Sequence, residues 1–174
     1  MIPDLPTIGV PGPRSLPAVA EQDPGDALRE LFEETWERDM RENPVEASGF
    51  GDLRYNDRWP DLSPAAMRAR NEANEAALEA LLEIPRDELG PRDRVNYELF
   101  RRDLQRRVDE HQFKGFLMPF SQRGGVQNLD SQASYLRFET AADYEDWLAR
   151  LDKIDTVVDQ AIEVANRGIE QGYV

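Results

Sequence analysis

"TAADYEDWLARLDKIDTVVDQAIEVANRGI", residues 140–169, is the stretch on which the fold turns. Tyr144, Trp147, Leu148, Leu151, Ile154, Val158, Ile162, Ala165 and Ile169 recur at steps of three and four, the period of one helical face. Thr140 stands where an N-cap belongs, and Asp143 is its reciprocal partner three residues later. The spacing predicts a single helix of about thirty residues whose stripe faces a core.

Working outward, three earlier segments carry the same period. The first opens at "DPGD", with Asp23 as N-cap, Pro24 at N1 and Asp26 reaching back from N3. Leu28, Leu31, Phe32, Trp36 and Met40 form its stripe, and it ends near Asn43-Pro44 because a residue before proline leaves the α region. The second begins at Ser63-Pro64, runs through an Ala-rich stretch with Met67, Leu78, Leu81 and Leu82, and stops at Pro85. The third begins at Gly90-Pro91 and carries Val95, Tyr97, Leu99, Phe100, Leu104 and Val108 to about Phe113. No convincing strand period and no internal repeat occurs. The expected fold is all-α: an antiparallel-leaning bundle of four main helices, with two long structured loops and an extended N-terminal leader.

The leader, residues 1–22, is Pro-rich and cannot form a long helix. It lacks the basic n-region and continuous apolar run of a secretory signal. Residues 23–174 form the expected helical domain. The 174 residues are 40% hydrophobic, enough for one core. A formal charge of −14 repels nucleic acid and anionic lipid, so no nucleic-acid partner is expected. No stretch approaches the ~20 apolar residues that cross a bilayer. With no Cys there is no thiol nucleophile, disulfide or thiolate site.

The two loops are "ENPVEASGFGDLRYNDRWPDLSPAAMRAR", residues 42–70, and "KGFLMPFSQRGGVQNLDSQASYLRF", residues 114–138. Loops this long in a compact domain are uncommon. Their aromatic content predicts order, with a short helical turn near Ser131–Leu136 in the second. Self-contained chemistry is hard to build from this inventory. His111 is the single histidine, so HExxH is absent, and no EF-hand spacing occurs. No serine sits in a G-x-S-x-G elbow, and "QRGGVQ" lacks the Lys-Ser/Thr of a P-loop.

Taken in order, "NPVEASGFGDLRYNDRWPDLSPAA", "LGPRDRVNYELFRRDL", "MPFSQRGGVQ" and the segment 140–174 carry a resemblance. From about Ala27 to Val174 the chain resembles the amino-terminal part of the bacterial proteins grouped as domain of unknown function 885, many of them exported or lipid-anchored. The resemblance implies a longer, largely helical protein, similar to zinc-dependent peptidases, whose HExxH helix lies in a later part. No ligand of that zinc site maps onto a residue here, so no catalytic or metal-binding residue and no cofactor is expected in this chain. Zinc is implied for the full-length family alone. The implied partners are the missing catalytic part or a peptide substrate. Cytoplasm and periplasm both stay open as compartments.

On this footing Arg54, Tyr55, Trp59 and Arg167 are the candidates for one rim of a peptide cleft. Arg54 would pair with a substrate carboxylate and Tyr55 would stack or donate a hydrogen bond. The structural alternative has Arg54 held by a local Asp, with Tyr55 and Trp59 plugging the bundle end. Arg167-Gly168 equally suits a close helix approach with a cation at a helix C-terminus, and "QRGGV" is a third rim. A stand-alone helical module binding a protein or peptide is the alternative function, and an enzyme completed by another chain is a third.

Overall fold

The computed structural model describes residues 23–121 and 124–173. The leader therefore lies outside the described residues, as do Gln122 and Arg123 of the "QRGGV" rim. Within them every regular element is helical: α1 Pro24–Glu42, α2 Pro44–Phe50, α3 Pro64–Glu83, α4 Pro91–Gln112, α5 Ala141–Leu151 and α6 Ile154–Glu170. Short 3-10 turns join them at Leu53–Tyr55, Arg86–Glu88, Gly115–Leu117 and Val126–Tyr135.

Local chemistry places the helix starts. The Asp23 carboxylate accepts the Gly25 and Asp26 N–H groups at 2.9 and 3.1 Å. Ser63 caps α3 through Ala66 N–H, and Thr140 and Asp143 form a reciprocal capping box. Asp26, expected to reach back, instead pairs with Arg29.

The main core lies between α1, α3 and α4. Leu28, Ala77, Leu81, Ile84, Leu89, Tyr97 and Leu104 are buried together, with Phe32 packed edge-on to Phe100 at 4.8 Å. Each fully buried leucine contributes about 1.5–3 kcal/mol. Arg107 on α4 bonds Asp39 on α1 at 2.7 Å, and Asp93 lies beside Gly25, so these two helices run parallel. α3 returns between them, with Arg38 donating to Asn74 at 2.7 Å.

Three expectations need correction. Trp36 does not face the core; it is about half exposed and leans on Phe50 of α2 at 5.4 Å. α2 falls inside the segment read as a loop, started by Pro44 and stopped by Gly51 at φ +87°. The third correction is the largest. The thirty-residue helix breaks at Asp152-Lys153, because the Arg150 carbonyl accepts the Trp59 indole N–H at 2.7 Å and the Lys153 N–H at 3.2 Å. A side chain inserted into the hydrogen-bond ladder ends α5 there.

The break goes with an inversion of faces. Val157, Ala161, Val164 and Gly168 are the buried face of α6. Much of the stripe read as core points outward: Leu148 is 60% exposed, Ile162 47% and Ile169 61%, while Trp147, Leu151, Val158 and Ala165 are half-buried. Gly168 explains part of this choice. A Cβ there would lie 2.4 Å from the Leu117 carbonyl oxygen, so only glycine lets the 115–117 turn approach α6 this closely.

Candidate functional site

The segment from Ser48 to Leu62 is pinned from two sides. Asp52 caps the Leu53–Tyr55 turn and also grips the Arg54 guanidinium, whose Nε and Nη2 donate to its two oxygens at 2.9 and 2.7 Å. Glu37 of α1 takes the opposite edge, accepting from Nη1 at 2.8 Å and Nη2 at 3.0 Å. The hydrogen bonds from Arg54 hold both carboxylates below their usual range and stabilise the guanidinium in its charged form. Asp52 is a sequence neighbour; Glu37, on a highly charged helix, gave no local signal.

Tyr55 is half-buried, with the guanidinium carbons of Arg54 and Arg58 at 5.3 and 5.4 Å from its ring centre. Trp59 is 8% exposed. Its ring packs on Trp147 at 6.1 Å, and Phe138 joins Trp147 at 6.4 Å. Lys153 donates to the Asp57 carbonyl at 2.8 Å. The Gln160 side chain accepts the Leu62 N–H at 2.8 Å and donates to Asp61 at 2.9 Å. The start of α6 is thus stitched along residues 57–62.

Sequence reasoning missed the centre of this arrangement, Arg150. It is completely buried. Its Nη2 donates to the Tyr55 carbonyl at 2.9 Å and to the Ser48 hydroxyl at 3.2 Å, while its guanidinium carbon lies 5.3 Å from the Trp59 ring centre. The Ser48 oxygen is in turn 2.6 Å from Asn56 Oδ1. Burial pushes Arg150 below an ordinary arginine, and the charges of Asp57 and Asp146 act against that. The one available signal was its place three residues after Trp147, but Leu151 offered a better apolar fit to the stripe.

Two surface cavities flank the Trp59 ring. One, about 320 Å³, is lined by Arg41, Glu42, Arg58, Asp61 and Arg70. The other, about 260 Å³, is lined by Arg58, Pro60, Lys153, Val157 and Gln160. Trp59 lines both cavities, while Tyr55 joins it through Arg150 and Arg54 stands beside the Tyr55 ring. Arg167 stands apart: it lies two turns of α6, roughly 10 Å, beyond Gln160, where it pairs with Glu163 at 2.7 Å.

Among the described residues no three His, Cys, Asp or Glu side chains gather as a metal group. His111 stacks on Phe116 at 5.0 Å instead. No described helix is long and apolar enough to cross a membrane.

A family model described as "Bacterial protein of unknown function (DUF885)" matches residues 44–174, which include Arg54, Tyr55, Trp59, Arg150 and Arg167. The chain belongs to the DUF885 family. No curated protein and no solved structure matches it. The DUF885 match begins at Pro44, the first residue of α2, so α1 and its Glu37 contribution lie before it.

Proposed function

We propose that this DUF885 chain is a non-catalytic helical wall of a larger, zinc-peptidase-like protein, with Arg54, Tyr55 and Trp59 on the rim of a peptide cleft. The observation that carries the reading is the outward stripe of α5 and α6: Tyr144, Leu148, Ile154, Ile162 and Ile169 are all exposed on two consecutive helices. A row of large aliphatics in water is an expected docking face for further protein. Arg167 stands on α6 near the end of that stripe, away from Trp59, and would serve the docked part rather than the rim.

In this reading the chain alone holds no zinc and cleaves no peptide, since structural and catalytic zinc sites draw three or four ligands from His, Cys and carboxylate. Metal analysis of the purified chain should find zinc far below one per molecule; a tightly held equivalent would contradict the reading. The direct test mixes the chain with the later, HExxH-bearing part of a longer DUF885 protein and measures peptide cleavage. Activity should appear with the unaltered chain and be lost with Ile162→Asp/Ile169→Asp. Equal activity with and without the chain would overturn it. The self-contained core of α1, α3 and α4 favours the alternative, a stand-alone protein- or peptide-binding module. That module would bind partners without any such complementation.

A further inference from the structure

Arg150 is a buried cation whose donors are only partly used. Nη2 has two acceptors, but Nε and Nη1 are sealed from solvent and meet none among the described residues. Among the described residues no carboxylate hydrogen-bonds it; Asp57 and Asp146 act on it through their charge. Asp57 is instead held by Arg58 at 3.0 Å and Lys153 at 3.5 Å. Leaving a buried charge with idle donors is strongly unfavourable, and native interiors seldom tolerate it.

The surroundings supply a route and a rim. The Trp59 ring lies 5.3 Å from the Arg150 guanidinium carbon and also lines both cavities, so it stands between Arg150 and the residues around them. Arg58 and Lys153 line the 260 Å³ cavity together with Trp59. In a chain of charge −14, Arg41, Arg58, Arg70 and Lys153 line the cavities around this one ring, against the two carboxylates of Glu42 and Asp61. We propose that Arg150, with Arg58 and Lys153, forms a carboxylate-binding site gated by Trp59, which takes the free C-terminal carboxylate of a peptide. An arriving carboxylate displaces Asp57 from Lys153 and Arg58, and the Trp59 ring shifts to admit it to Nε and Nη1. The guanidinium is suited to this because each N–H forms a charge-assisted bond of fixed direction to a carboxylate oxygen.

The word peptide rests on the cleft reading above; the carboxylate site does not. The experiment therefore uses three ligands: sodium acetate, trialanine with a free C-terminus, and trialanine amide. Nitrogen-15 spectra of the chain follow the Arg150 Nε–H and Trp59 Nε1–H resonances. Free trialanine should move both saturably, acetate should move the same pair more weakly, and the amide should bind at least ~10-fold more weakly than the free acid. Lys153→Gln and Arg58→Gln, both at the surface, should each weaken binding several-fold. Arg150→Lys should abolish the Trp59 Nε1–H shift where circular dichroism shows that it folds. Acetate binding without trialanine binding would keep the anion site and remove the peptide reading. Equal affinity for free acid and amide, or no movement of Arg150 Nε–H below about 50 mM of either acid, would overturn the site itself.

Discussion

Arg150 and Trp59 make each other possible. The indole N–H takes the Arg150 carbonyl and the indole face covers the Arg150 guanidinium, so one ring serves both ends of the same residue. Replacing Trp59 with Ala should cost ~3–5 kcal/mol, because it removes a buried ring and leaves a cavity beside a cation. Trp59→Phe keeps much of the packing but loses the N–H, and should cost ~1–2 kcal/mol. Urea unfolding of the two variants separates these contributions; equal losses would mean that the hydrogen bond, not the ring, is the main connection. Trp147, only half-buried, should cost less than Trp59 when truncated to Ala. Arg54 acts at the surface and shows itself through pH. Glu37 and Asp52 have folded pKa values below their ordinary range, so the stability they lend is whole above pH ~4 to 5 and is lost as pH falls through and below ~4. Arg54→Gln should flatten the acid limb of a melting-temperature curve over that window. Curves that stay parallel would show that the guanidinium gives these carboxylates no preference for the folded state.

At the scale of elements, the helix starts were legible and the helix break was not. Pro24, Pro64 and Pro91 open helices by chemistry confined to their own first turns, and Thr140 with Asp143 does the same. The seven residues of α2 are too few for an apolar period to declare itself, and Asn43-Pro44 reads equally well as a stop. The break between α5 and α6 depends on Trp59, 91 residues from Arg150, so no local pattern announces it. The same distance hid the centre of the candidate site: Asp52 beside Arg54 was visible from sequence, whereas Glu37, Ser48 and Arg150 reach it only through tertiary packing. Gly168 offers a test with a reversed sign. Inside a helix Gly→Ala ordinarily stabilises by ~1 kcal/mol, but here the new methyl meets the Leu117 carbonyl at 2.4 Å. Gly168→Ala should therefore lose ~1–3 kcal/mol. A gain on denaturation would mean that the 115–117 turn does not sit on α6 as described.

The whole molecule divides its apolar residues between two uses. Leu28, Leu81 and Leu104 close the core of α1, α3 and α4, while Leu148, Ile154, Ile162 and Ile169 are left on the outside of α5 and α6. Periodicity detects such a stripe but cannot say whether it faces this chain's own core or another protein. The small residues opposite it, Ala161 and Gly168, decided the matter by admitting close contact. The proposed role as one wall of a larger DUF885 protein depends on that choice of face. Chemical unfolding of Ile162→Asp/Ile169→Asp tests it most directly, with Val157→Asp as the contrasting variant. The outward stripe predicts that the double variant folds with stability within about 1 kcal/mol of the unaltered chain, and that Val157→Asp is lost to unfolding or loses more than ~3 kcal/mol. A double variant that unfolds while Val157→Asp stands unharmed would contradict the account at its centre.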